Sequence, residues 1–141
     1  MSALSSSRTS ARPRSAVLLG VAGVAAALLA STLVGTVAAA LGADPDFAPL
    51  RPYVYLTFAA VGTVAGLIGW VIIARRARSS RRLLTVLVPV LTVLSLVPDV
   101  ALLALGFIPG SGPLEVVALM LMHPIAAASA VIAGSRIQPA R

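Results

Sequence analysis

Two ionisable side chains stand inside otherwise apolar runs of this chain: Asp99 in LSLVPDVALL and His123 in LMLMHPIAAA. A carboxylate and an imidazole can act as acid and base, relay a proton, or clamp two helices together. Each abuts a proline, Pro98 before Asp99 and Pro124 after His123. A proline within a helix leaves the carbonyl four residues back without its donor, here Leu94 and Met120, so two kinks and two ionisable groups at one level predict a local polar pocket. Thr85, Thr92 and Asp99 recur every seven residues, with Ser95 on the same broad face. The hydroxyls either line a hydrated path to Asp99 or bond carbonyls one turn back, and the second reading is preferred.

Other chemistry finds little support. The chain has no cysteine and one histidine, so thiolate chemistry is excluded and a closed zinc site lacks ligands. Haem would need His123 as a sole axial ligand, or two copies of it across a dimer. No Gly-rich phosphate loop, nucleophile elbow or zinc-protease motif is present. The expectation is therefore no metal, no cofactor and, on balance, no enzyme.

The elements that must position Asp99 and His123 are membrane spans. Of 141 residues, 59% are hydrophobic and only 11% charged, with a mean hydropathy of +1.02. Apolar runs of this length span a bilayer, and there are four, at about 16–41, 53–74, 83–107 and 114–133. The reading is all-α, a four-helix integral membrane bundle, with a disordered tail at 1–15 and a short tail at 134–141. A cleaved signal peptide competes for the first run, but a signal core is only about 7–15 residues. In that run Gly23, Ala27, Ser31 and Gly35 make a small-residue ridge, and Gly62 and Gly66 form a GxxxG in the second. Such seams let helices approach closely in lipid. Tyr53, Tyr55 and Trp70 fit an aromatic belt at the two interfaces.

Charge sets the threading. All eleven basic residues are Arg. Ten fall on one side of the spans: Arg8, Arg12 and Arg14, then Arg75, Arg76, Arg78, Arg81 and Arg82, then Arg136 and Arg141. Only Arg51 falls on the other, which predicts cytoplasmic termini and a cytoplasmic middle loop. The middle cluster reads as a topogenic stop signal, or as a site for anionic lipid heads. The same alternation argues against nucleic acid, despite a net charge of +7. Glu115 follows Gly112 and Pro113 as a helix cap would. Asp44 and Asp46 belong to an outer loop and are expected to be solvated.

Asp99 lies eight residues before the outer end of the third run, and His123 nine after the outer start of the fourth. Both are therefore about 12–14 Å deep, and in an antiparallel hairpin they are expected within hydrogen-bond reach. An Asp at mid-membrane costs about 2.5–3.5 kcal/mol, while an interhelical hydrogen bond returns about 0.6 kcal/mol. A partner or protonation must offset the rest.

The four-span layout, Asp99, and LMLMHPIAAASAV (Leu119 to Val131) resemble an uncharacterised family of small actinobacterial four-helix membrane proteins. The resemblance implies the fold and brings no activity or site residue. Three functions remain open. The first is a non-enzymatic packing protein of the bacterial plasma membrane, acting on itself or a membrane protein partner. The second is a small-molecule or proton-coupled carrier using Asp99 and His123. The third is a membrane enzyme with that pair as acid and base.

Overall fold

The computed structural model describes residues 12–141, and among these every regular element is helical. Helix α1 is Pro13–Ala40, α2 is Pro52–Arg76, α3 is Ser80–Ser95, α4 is Val97–Leu105 and α5 is Pro113–Ile137, with a 3-10 turn at Ala48–Leu50. Four stretches are long and apolar enough to cross a membrane, α3 and α4 together making the third. In hydrocarbon a backbone must satisfy its own polar groups, so apolar runs of this length become helices. Pro13, Pro52 and Pro113 each open a span, where a missing N–H costs nothing. Gly106 closes α4 in the left-handed conformation, φ 58°, as a helix end favours.

The boundaries differ from the sequence expectation in instructive ways. Helix α1 begins at Pro13, so Arg14 and Ser15 belong to the span, while the rest of the expected tail, 1–11, lies outside the described residues. Helix α5 runs on to Ile137, taking Gly134 and Arg136 out of the expected tail. The third span is not one helix. It breaks at Leu96, whose N–H turns back to the Val93 carbonyl at 3.1 Å while its own carbonyl starts α4 by accepting from Val100 at 2.9 Å. Pro98 therefore sits in the first turn of a new helix, where its missing donor is harmless, and not mid-helix as the run of apolar residues implied.

Helices α1, α2 and α5 pack as a tight three-helix body, whereas α3 and α4 touch it more sparingly. Small residues make the close fit. Ala27, Ser31 and Thr63 are fully buried, with Ala59, Ala130 and Ala133 nearly so. A methyl group on Gly23 would lie 2.7 Å from Cβ of Ala133, so the two backbones are in near contact, as lipid-driven packing rewards. Large apolar side chains point outward instead: Leu18, Leu29, Leu33 and Leu105 are exposed, the last by 75%. That inverted surface suits lipid and not water.

Both ends are tied by polar contacts. At one end Gly112 is the N-cap of α5 and Glu115 stands in its first turn, as expected, but the bond its carboxylate makes is a long-range one. Glu115 is buried, and its Oε1 accepts the backbone N–H of Asp44 at 2.7 Å. A long-range bond wins because the loop after α1 folds over the start of α5, with Phe47 buried against Leu102 and Val116. Asp44 and Asp46 themselves are exposed. At the other end Trp70 Nε1 donates to the Gln138 carbonyl at 2.9 Å, and Arg81 N–H donates to the Arg141 carbonyl at 2.7 Å. The buried Ser80 hydroxyl donates to that carbonyl and accepts the Arg141 N–H. The expected aromatic belt is thus only partly a belt. Tyr53 is exposed, but Tyr55 is buried and its ring lies about 3.1 Å from where a Gly35 Cβ would be.

Candidate functional site

Because α3 and α4 stand off from the three-helix body, a cavity of about 690 Å³ opens between them, α2 and α5. Its walls are mostly apolar, including Phe58, Leu87, Leu91 and Met122, and it reaches Trp70. Four polar side chains share one wall: Thr92 and Ser95 from α3, Asp99 from α4 and His123 from α5. The break at Leu96 places Asp99 in the first turn of α4, where the helix N-terminus favours a negative charge.

Asp99 and His123 meet, with His123 Nδ1 3.4 Å from Asp99 Oδ2, the Asp side chain only 10% exposed and the His 32%. They touch without a hydrogen bond. His123 Nδ1 also lies 3.0 Å from the Leu119 carbonyl. A carbonyl can only accept, so that contact requires the proton on Nδ1, directed along its own helix. Asp99 Oδ2 is left buried with no hydrogen-bond partner, which is uncommon for a carboxylate and expensive to maintain. The nearby hydroxyls do not relieve it. Thr92 donates to the Val88 carbonyl at 2.8 Å and Ser95 to the Thr92 carbonyl at 2.7 Å.

The pair offers one acid, one base and an apolar chamber. Among the described residues no group of three or more His, Cys, Asp or Glu side chains converges as a metal would need.

The small-residue seams divide. Gly23, Ala27 and Ser31 are buried, and Gly35 faces the Tyr55 ring. On α2 only Gly66 touches another helix, 2.9 Å from Ala130 as measured to its ideal Cβ. Gly62 has open space where a side chain would be and lines the cavity. The GxxxG of α2 was expected as a packing face; at Gly62 it makes room instead. Arg75, Arg76, Arg78, Arg81 and Arg82 are exposed around the α2–α3 turn, away from the pair.

Sequence reasoning expected a polar pocket at this level but missed two contributors and the extent of the cavity. Trp70 closes one end of the cavity against Gly134, whose ideal Cβ would lie 2.6 Å from the indole, yet its position near a span end resembled an interface anchor. The Leu119 carbonyl is invisible in a one-letter code, although a histidine in a helix always has a carbonyl four residues back. The cavity follows from how loosely α3 and α4 attach, which no local pattern encodes.

No curated protein and no solved structure matches the chain significantly. Residues 11–139 match the family of unknown function DUF6069, and with nearly the whole chain covered, helix pair and cavity included, the protein belongs to that family.

Proposed function

We propose that this is a non-enzymatic multi-pass protein of an actinobacterial plasma membrane, with both termini cytoplasmic, that holds a small amphipathic molecule within the bilayer and works as a carrier. The observation that supports this most is the cavity of about 690 Å³ with one polar wall. Amphipathic ligands are held by concave, mostly apolar sites carrying a few placed polar groups. The packing reading fits α1 better than α2, since Gly62 opens on space and not on a neighbouring helix. An enzyme reading needs a free hydroxyl as nucleophile, and Thr92 and Ser95 beside the pair each donate to a backbone carbonyl. The arginine asymmetry supports the threading, and the alanine-, leucine- and arginine-rich composition supports the source.

Gly62→Leu tests the binding role. A leucine there meets nothing at its Cβ, projects into the space that Gly62 lines and would favour the helix by up to about 1 kcal/mol. Native mass spectrometry of gently purified protein should show a retained lipophilic molecule in the wild type and its loss in Gly62→Leu. Identical ligand-free spectra of both proteins, or equal retention by both, would count against the cavity as a binding site.

A further inference from the structure

The cavity contains a polar atom whose needs the protein itself leaves unmet. Asp99 Oδ2 is buried without a hydrogen-bond partner, and the one donor beside it, His123 Nδ1, is engaged by the Leu119 carbonyl. Thr92 and Ser95 are turned to backbone carbonyls. The remaining walls are apolar or aromatic, and the carboxyl lines the same space.

Resting on the reading of this cavity as a binding site, we infer that its occupant is a lipophilic cation, an alkylammonium whose head pairs with Asp99 while its chain runs toward Trp70, and that binding releases a proton from the Asp99–His123 pair. An anionic head would meet a carboxylate in a low-dielectric chamber and be repelled. A hydroxyl head would supply one donor but no charge. An ammonium supplies both, and charge-assisted hydrogen bonds are the stronger kind. From His123 to Gly134, where Trp70 packs, is eleven residues of α5. That is about 16 Å of helix, suited to a single extended alkyl chain.

The exchange balances. Before binding, Asp99 and His123 hold one titratable proton between them, and the pair carries no net charge. When the ammonium arrives it takes over the carboxylate, and a second positive charge beside the same anion is repelled. The shared proton leaves, and the pair with its ammonium is again without net charge. One cation enters and one proton departs. Among the described residues no other charge lines the walls: α2 contributes Tyr55 as a titratable group, α3 contributes hydroxyls as its polar groups, and α1 contributes no lining residue. Glu115, two turns before His123 on α5, is committed to the Asp44 N–H.

Trp70 is the only tryptophan and lines the cavity, so its fluorescence reports occupancy. The full chain in phosphatidylcholine nanodiscs is titrated with ω-bromododecylammonium, ω-bromododecanol and ω-bromododecanoate, and quenching is measured against Gly62→Leu to remove simple partitioning. The ammonium should quench at a concentration at least tenfold below the other two, and this advantage should shrink at least tenfold in Asp99→Asn. In weak buffer with a pH indicator, ammonium binding should release close to one proton per protein. Should Asp99→Asn not fold, the three head groups on the wild type still decide the matter. Equal quenching by all three, or preference for the carboxylate, overturns the cation while leaving the cavity reading intact. Cation binding without proton release overturns the exchange. Quenching no greater than in Gly62→Leu overturns both the inference and the binding site beneath it.

Discussion

At the scale of single residues, the Asp99–His123 contact was legible from depth alone, since a hairpin of known turn position puts the two at one level. Its chemistry was not. Equal depth predicts a hydrogen bond, whereas the ring at 3.0 Å from the Leu119 carbonyl satisfies itself within α5 and leaves only the 3.4 Å contact. Coupling should still be measurable. Asp99→Asn and His123→Gln should each destabilise the fold in a denaturant titration in mixed micelles, and the double variant should cost less than their sum by about 0.5–3 kcal/mol. Strict additivity would show that the two do not interact. The glycines offer a sharper contrast, because neighbours on one helix differ. Gly23→Ala puts a methyl 2.7 Å from Cβ of Ala133, while Gly20→Ala meets nothing. The first should lower stability by about 1–3 kcal/mol through overpacking, and the second should leave it unchanged or raise it by up to about 1 kcal/mol. Thermal unfolding of both in the same detergent checks this, and equal effects would mean that α1 does not sit against α5 at Gly23.

Elements were read well where composition dominates and poorly where one residue redirects the chain. Four apolar runs gave four spans, and prolines marked three of the starts. The third span failed as a single helix because apolar content is continuous through Leu96 while the hydrogen-bond ladder is not. Glu115 was read only in part. Its position after Gly112 and Pro113 suits a cap, but a carboxylate also binds any free N–H within reach, and the Asp44 N–H presents one at 2.7 Å. Removing that acceptor strands a donor under the loop. Glu115→Ala should destabilise by about 1–3 kcal/mol, and Glu115→Gln, which keeps an oxygen, by less. Hydrogen exchange should show the N–H of Asp44 losing protection in the alanine variant. An unchanged exchange rate there would rule out the bond.

For the whole molecule, the threading is a prediction from the charge count alone. Ser79 and Ser111 lie at opposite ends of the third candidate span. Cysteines introduced there should label differently in intact cells, Ser111→Cys with an impermeant maleimide and Ser79→Cys only after lysis. The opposite pattern would invert the topology. The overall shape was the least legible level, because the stand-off of α3 and α4 depends on which small residues find partners. Gly23 finds Ala133 and Gly66 finds Ala130, but Gly62 finds no neighbour.

The tight body joins the first two spans to the last one. A ribosome delivers α1 and α2 first, then α3 and α4, and only then the helix against which Gly23 and Gly66 pack. Until α5 emerges, the early hairpin has half an interface and the loosely held pair has little to lean on. Assembly therefore behaves as a latch thrown by the final insertion. A nascent chain halted before Pro113 would expose its glycine seams to the membrane, and to whatever proteases survey it.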